Sequence, residues 1–192
     1  MKVLKTLPAN YKEIFSVNLQ KDKKIATFIN ALALMIGLVM VVPMNFYIPL
    51  STLFDFSQGM TVYFIRFVVL MVSVIAYMVL HEAVHGIAMK ICGTKKVKYG
   101  FTGLYAYAGS NDFYDKKSYI FIALAPVVLW VFILLVINLF VPEDWFWVVY
   151  FIQIFNISGA AGDYYVTAKF SKLPDDILIS DSGIGMSVYS AE

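Results

Sequence analysis

The chain has 192 residues, of which 60% are hydrophobic and 15% are charged, and its mean hydropathy is +0.75. Soluble globular domains average about 45–50% apolar and about 25% charged residues. The composition therefore argues against a water-soluble domain and favours a membrane protein. The net charge of +2 is too small to predict a nucleic-acid partner, and the single cysteine, Cys92, excludes a disulfide within the chain.

Four apolar segments are long enough to cross a bilayer, which takes roughly 20 mostly apolar helical residues. They are residues 25–50, 61–91, 119–141 and 145–168. The second segment is longer than a bilayer needs, so we expect it to tilt or to extend beyond the membrane. We predict an all-α membrane protein of about four transmembrane helices, with a single membrane-embedded domain over residues 25–169.

Lysines mark one side of this membrane domain. They occur before the first span, between the second and third spans, and after the fourth, whereas the other two loops carry acidic residues and no lysine. Because lysine-rich loops remain in the cytoplasm, we expect the segment 1–24, the long middle loop 93–117 and the tail 170–192 to be cytoplasmic. The expected location is the plasma membrane. No cleavable signal sequence is expected, since the first apolar run begins late and is too long for one.

The middle loop carries aromatic and apolar residues at alternate positions, which would share one face of a strand. They are Val97, Tyr99, Phe101, Tyr105 and Tyr107. Glycines at positions 100 and 103 suggest a turn, a bulge or a close approach of the backbone. A short β-hairpin and a tyrosine-rich interfacial loop are both compatible with this pattern. The polar C-terminal tail is assigned no chemistry.

The only two histidines of the chain lie in the motif His81-Glu82-Ala83-Val84-His85, inside the second span. A spacing of four puts both imidazoles on one helix face, where they can bind one Zn²⁺ ion. Glu82 is not needed as a ligand and can act as the general base toward a water. Each ionisable side chain inside a span costs about 2.5–3.5 kcal/mol on insertion scales. A metal ion would compensate this cost, and the alternative is a hydrogen-bonded trio in the protein core.

Asp163 is the acidic residue that another span offers as a third ligand, and a catalytic zinc usually has three protein ligands. Counted at about 1.5 Å per residue, His85 lies about 8 Å above Lys90, and Asp163 lies about 9 Å above Lys169, so the two residues are at a similar level. Asn156, Gly159, Ala160 and Asp163 would share one helix face. That face could also be a packing seam with Asp163 as a buried hydrogen-bonding group, and Asn156 could bind a substrate backbone or simply pack.

The two motifs together carry a family resemblance. The sequence HEAVHG in a membrane helix, followed by Asn-x-x-Gly-x-x-Gly-Asp at positions 156–163, resembles the putative zincin peptidase family of small bacterial membrane proteins. It is more distantly similar to the site-two-protease class of intramembrane metalloproteases. The resemblance covers roughly residues 61–169 and implies His81, His85 and Asp163 as zinc ligands, with Glu82 as the catalytic base.

The sequence departs from the site-two-protease class at two points, which leave the mode of substrate binding open. It has no proline beside the aspartate motif, and it shows no regulatory domain of the PDZ kind. In that class a strand-forming segment after the zinc helix is thought to pair with the unwound substrate, and residues 97–108 resemble such a segment. Phe101 and Tyr105 in this segment, together with Asn156, are the candidate substrate-binding residues.

The sequence thus predicts a Zn²⁺-dependent protease acting on membrane-embedded substrates, whose partners are a membrane protein or peptide and the lipid bilayer. The alternative is a zinc-binding membrane protein without protease activity, such as a sensor, a partner-binding subunit or an immunity protein. Glu82 favours the enzyme, because a purely structural site gives it no role. A transporter is disfavoured, because one polar cluster near one membrane face gives no continuous polar pathway. No feature indicates an oligomeric state.

Overall fold

The computed structural model describes residues 3–18, 21–103 and 105–191, which form a mostly helical protein with two antiparallel sheets. The helices are α1 (Lys23–Tyr47), α2 (Met60–Ile91), α3 (Lys116–Phe140), α4 (Glu143–Gly159) and α5 (Ala161–Ser171). The strands are β1 (Val3–Leu4), β2 (Tyr11–Asn18), β3 (Lys98–Phe101), β4 (Ala106–Gly109), β5 (Phe113–Asp115), β6 (Leu178–Asp181) and β7 (Gly185–Ala191). A short 3-10 helix, Leu50–Phe54, follows α1.

Four helical stretches among the described residues are long and apolar enough to cross a membrane. They are α1, α2, α3 and the run from α4 through α5. Large apolar side chains on these helices are more than half exposed, including Leu34, Val39, Val72, Phe132 and Leu139. Such extensive apolar exposure is unfavourable in water and suits lipid. The four predicted apolar spans are therefore present as helices, and they are compatible with a multi-pass membrane protein.

The fourth predicted span is not one continuous helix. α4 ends at Gly159, and Ala160 leaves the helical conformation with ψ near 12° before α5 begins at Ala161. The helix is therefore interrupted between Asn156 and Asp163, which the sequence placed on one continuous helix. A side chain added at Gly159 would meet nothing within 4 Å, so this glycine does not form the close packing seam considered above.

The prediction of an all-α fold leaves out a five-stranded antiparallel sheet with the strand order β1-β5-β6-β7-β2. Its strands come from the N-terminal segment, the middle loop and the C-terminal tail, which were expected only to flank the helices. The longest pairing joins β2 to β7, from Tyr11 opposite Ala191 to Asn18 opposite Gly185. Strands this far apart in sequence give no local signal for their partners.

The middle loop forms the β-hairpin that was one of its two alternatives, because β3 and β4 pair from Lys98 opposite Gly109 to Phe101 opposite Ala106. The prediction that the tyrosines share one face is wrong. Directly opposed residues lie on the same face of a sheet, and Tyr107 is opposite Gly100, whereas Tyr99 is opposite Ala108. Tyr99 and Tyr107 therefore point to opposite faces of the hairpin. An even number of residues connects the two strands, so odd-numbered positions of β3 share a face with even-numbered positions of β4.

The chain forms two compact units. The first contains Met1–Ile29, Val79–Pro126 and Gly162–Glu192, and the second contains Asn30–Met78 and Val127–Ala161. The core of the first unit is built around fully buried side chains of Tyr114, Phe170, Ile177, Ile179 and Val188. The core of the second contains Leu53, Leu70, Phe146, Trp147, Val148 and Ile154. Both histidines and Asp163 belong to the first unit.

Candidate metal centre

The two histidines project from the same face of α2 in the first unit. Their ring centroids are 4.9 Å apart and their planes are inclined by 77°. This arrangement follows from the spacing of four residues on a regular helix, which stacks side chains one turn apart. Both side chains are only 12% exposed, so their imidazoles are largely shielded from the surroundings.

Asp163, in the first turn of α5, brings its carboxylate to this pair. Its Oδ2 atom lies 3.7 Å from Nε2 of His81, and its Oδ1 atom lies 3.8 Å from Nε2 of His85. One candidate ligand atom from each of the three residues falls within 4.8 Å of the others. A tetrahedral zinc ion with bonds of about 2.0–2.2 Å spaces its ligand atoms by roughly 3.3–3.6 Å. The three side chains therefore fit one such ion after small adjustments.

The orientation of His85 is set by a backbone group of α3. Its Nδ1 atom lies 2.9 Å from the carbonyl oxygen of Ile122. Because a carbonyl oxygen only accepts hydrogen bonds, Nδ1 must carry the proton, and Nε2 of the neutral ring keeps a lone pair directed toward Asp163. Metal-binding histidines commonly donate their second ring nitrogen to such an acceptor, which fixes both the tautomer and the ring orientation.

Glu82 lies beside the three residues without belonging to the group of candidate ligands. Its carboxylate lies beside the backbone N–H of Ala108 in β4, and near both His85 and Asp163. A strand of the middle loop is therefore adjacent to this carboxylate. The sequence identified Glu82 by its motif but gave no sign of its backbone partner.

The hairpin contacts the motif helix at Gly86, the residue after His85. The ring of Tyr99 in β3 packs so closely over Gly86 that a Cβ atom there would overlap the tyrosine hydroxyl. Only glycine allows this approach of a strand side chain to the helix backbone. The glycine that ends the HEAVHG motif therefore makes room for the ring of Tyr99 against α2.

A tight turn between β6 and β7 holds the other side of the hairpin. The carboxylate of Asp181 accepts hydrogen bonds from the Tyr119 hydroxyl at 2.7 Å and from the Gly183 N–H at 2.8 Å. Its backbone oxygen accepts a hydrogen bond from the Ser110 N–H at 2.7 Å. Gly109 approaches the backbone of this turn closely enough to exclude a side chain. The C-terminal tail therefore supports β4, the strand that contacts Glu82.

Asp181 is a partly buried acid close to the candidate metal centre. Burial raises the pKa of its carboxyl group, and the hydrogen bonds from Tyr119 and Gly183 oppose that effect. His85 lowers the pKa of the Asp181 carboxyl group, and the carboxylate of Asp163 raises it. Sequence reasoning missed this residue, because the tail is polar and carries no recognisable motif; only the pairing of β6 with β5 and β7 brings it here.

The three candidate substrate-binding residues lie in different environments. Phe101 in β3 is 62% exposed, and the buried Tyr105 hydroxyl has no hydrogen-bond partner among the described residues. Asn156 is fully buried in the second unit, where its Oδ1 atom accepts from the Tyr77 hydroxyl at 2.9 Å and its Nδ2 atom donates to the Val127 carbonyl at 3.3 Å. A substrate-binding role for any of the three stays a prediction.

The chain is similar to a known protein family and to a curated protein. Residues 74–178 match the family described as "Putative zincin peptidase". The "Uncharacterized 24.7 kDa protein in gap 5'region" of Pyrococcus woesei is 31% identical over 119 residues, which cover 59% of this chain and 51% of that protein. The chain thus spans about half the length of the curated relative it matches. No solved structure matches the chain.

The family match includes the whole candidate metal centre and the hairpin that contacts it. Zincin peptidases are zinc-dependent proteases, and this description belongs to the family as a whole. The three side chains gathered here form a donor set of two imidazoles and one carboxylate, which suits zinc. Since the match also spans more than half of the 192 residues, the chain belongs to the putative zincin peptidase family.

Proposed function

We propose that the protein is a zinc-dependent metalloprotease that hydrolyses peptide bonds of membrane-embedded substrates. In this proposal His81, His85 and Asp163 hold the metal, and Glu82 is the general base. The observation that carries the proposal is the meeting of Asp163 from α5 with the two histidines of α2. The second support is Glu82, which lies beside the group and is not needed as a ligand, as expected for a general base.

The chemistry of the proposed reaction divides between the metal and the protein. Zinc, when bound, supplies a Lewis acid that activates water and polarises a carbonyl group. Glu82 accepts the proton that the attacking water loses, and the Ala108 N–H holds its carboxylate in place for that transfer. His85 keeps its Nε2 lone pair available because its Nδ1–H is donated to Ile122. A positioned general base typically contributes about 10²–10⁴-fold to the rate.

The intramembrane location rests on the helices that carry the motif. The histidines lie in the C-terminal third of α2, one of the four helical stretches apolar enough to span a bilayer. Lysines at positions 90, 95 and 96 follow the motif directly, which puts the proposed centre near the cytoplasmic side under the positive-inside rule. Both termini are cytoplasmic in this proposal.

The hairpin gives a means of binding an unfolded substrate segment. The Thr102 N–H donates to the Tyr105 carbonyl at 3.0 Å, so Thr102 and Tyr105 form a hydrogen-bonded pair. Hydrogen-bonded and non-hydrogen-bonded pairs then alternate along β3 and β4. In an antiparallel ladder the next pair, Phe101 and Ala106, directs its N–H groups outward, and so does Ala108. The outer edge of β4 is therefore the edge that reaches Glu82. We propose that an extended substrate adds to this edge by strand pairing, which brings a peptide bond to the base.

The proposal is tested by replacing the base and leaving the proposed ligands intact. Glu82→Gln in protein reconstituted into vesicles is expected to reduce cleavage of a transmembrane reporter peptide by at least about 100-fold, with the zinc content unchanged. Glu13→Gln on the exposed surface of β2 is the matched control and should retain full activity. Normal turnover by Glu82→Gln would remove the catalytic assignment. A wild-type protein that binds one zinc but cleaves no peptide would instead support a non-proteolytic role.

A further inference from the structure

We propose that Pro126 is a positioning residue for His85, because it leaves the Ile122 carbonyl group available to the imidazole ring. The inference rests on the proposed metal centre, since it assigns the origin of the bond that orients one of its histidines. Pro126 lies inside α3 and does not contact the proposed reacting atoms. Its influence on His85 passes through one backbone carbonyl.

The argument begins with the hydrogen-bond pattern of a helix. In an α-helix the carbonyl group of each residue accepts a hydrogen bond from the N–H four residues later. For Ile122 that donor would be residue 126, which is proline and has no N–H. The proline ring also pushes against the carbonyl four residues earlier and turns it away from the helix axis. Pro126 therefore both frees the Ile122 oxygen and directs it outward.

The freed oxygen lies in an environment that requires a replacement donor. Ile122 is 2% exposed, and Pro126 is among the fully buried side chains of the protein. A buried carbonyl without a donor is costly, and nearly all such groups in folded proteins have a partner. His85 provides that partner, with its Nδ1 atom 2.9 Å from the Ile122 oxygen. One proline thus accounts for the acceptor that selects the tautomer of a proposed zinc ligand.

A second proline in a helix provides the matched control. Pro43 interrupts α1 in the same way, but it belongs to the second compact unit, whereas both histidines belong to the first. Replacing either proline by alanine restores one helical N–H. Only at position 126 does that N–H compete with a histidine for the carbonyl it would bind.

The experiment reads the two rings directly, because the chain contains only two histidines. Metal-free protein labelled with ¹⁵N-histidine is examined by NMR at a pH where both rings are neutral. The wild-type His85 ring is expected to carry its proton on Nδ1. In Pro126→Ala that tautomer is expected to give way to a mixture, while His81 and the Pro43→Ala protein remain unchanged.

Zinc affinity gives the second readout. Loss of an outer hydrogen-bond partner typically weakens metal binding by about 10–100-fold, so Pro126→Ala should bind zinc at least about 10-fold more weakly than the wild type. Its thermal stability should not fall, because α3 gains a helical hydrogen bond and a better helix former. Pro43→Ala should bind zinc normally. This combination of weaker zinc binding and retained stability separates positioning from a general structural defect.

Two results would overturn the inference. One is a wild-type His85 ring protonated on Nε2, which is measured without any variant and so does not depend on how Pro126→Ala folds. The other is a folded Pro126→Ala protein with wild-type zinc affinity and an unchanged His85 tautomer. Failure of the wild-type protein to bind zinc would instead contradict the proposed metal centre, and the tautomer measurement would still test the role of Pro126.

Discussion

The Oδ1 atom of Asp163 lies 3.8 Å from the Nε2 atom of His85, although the two residues come from different helices. The carboxylate therefore joins the two histidines as a third candidate ligand, because the start of α5 lies beside the C-terminal part of α2. Within this group the two histidines are fixed by one helix, whereas Asp163 depends on the start of another. Asp163 is the residue whose removal tests whether the group acts as one site.

Replacing Asp163 by alanine is expected to lower zinc affinity more than the roughly 10–100-fold that loss of an outer-shell partner costs, because a direct ligand would be lost. The measurement is zinc content and affinity of the purified protein by competition with a chelator. Asp176→Ala, at an exposed position of the same unit, is the matched control and should bind one zinc. Equal zinc binding by the Asp163→Ala protein would show that the carboxylate is only a buried hydrogen-bonding group.

Replacing Gly86 by alanine should displace the hairpin from α2. The added Cβ atom would overlap the hydroxyl group of Tyr99, and overpacking of this kind typically costs about 1–3 kcal/mol of stability. Thermal unfolding in detergent should show a lower midpoint, accompanied by reduced peptide cleavage. Gly37→Ala is the control, since its Cβ atom would meet only Ile154 at an ordinary 3.8 Å.

A double variant tests whether overlap with Tyr99 causes the loss of stability expected for Gly86→Ala. If the overlap with the tyrosine ring is responsible, Gly86→Ala combined with Tyr99→Ala should recover part of the lost stability, because neighbouring sites couple in this way. Additive losses in the double variant would contradict the direct contact. They would mean that Gly86 is needed for another reason.

Replacing Ala106 by proline should weaken substrate binding without breaking the hairpin. The Ala106 N–H points away from β3, so proline removes a donor from the outer edge of β4 and leaves the ladder between the strands intact. One lost hydrogen bond of about 0.5–1.5 kcal/mol predicts a KM higher by roughly 2–13-fold with kcat little changed. Ala106→Val keeps the N–H and is the control. An unchanged KM for the proline variant would exclude strand addition at this edge.

The orientation in the membrane can be measured with single cysteines, because the native Cys92 is buried and can be replaced by serine. In intact cells a membrane-impermeant maleimide is expected to label Ser57→Cys, in the loop after the 3-10 helix. It should label Asp176→Cys, in the C-terminal tail, only after the membrane is opened. The lysine distribution gives this expectation, and the opposite labelling pattern would invert the proposed topology.

Much of the candidate site could be predicted because its signals are local. The spacing of His81 and His85 fixes their relation on any helix, and the distance of Asp163 from the following lysine placed it at the same depth. The structure brings these three residues together. The alternation of apolar residues in the middle loop also indicated a hairpin as one of two alternatives. Its faces were assigned wrongly, because the register depends on the number of residues in the turn and not on the alternation alone.

The missed parts of the site depend on contacts between distant segments. Ile122 and Ala108 contact the site through backbone atoms, so their residue types give no indication of this role. Pro126, four residues after Ile122, is an indirect indication. Asp181 lies in a polar tail whose role depends on the partners of β6. The break at Ala160 was hidden because alanine is compatible with a continuous helix.

The pairing of β2 with β7 determines when the five-stranded sheet can form during synthesis. The helix with the histidines is synthesised well before Asp163, and β7 is synthesised later still. A ribosome-bound chain can therefore insert α2 long before the strand that closes the sheet exists. The proposed metal centre would remain incomplete until Asp163 has been synthesised, so the nascent chain could not cleave neighbouring membrane proteins before that point.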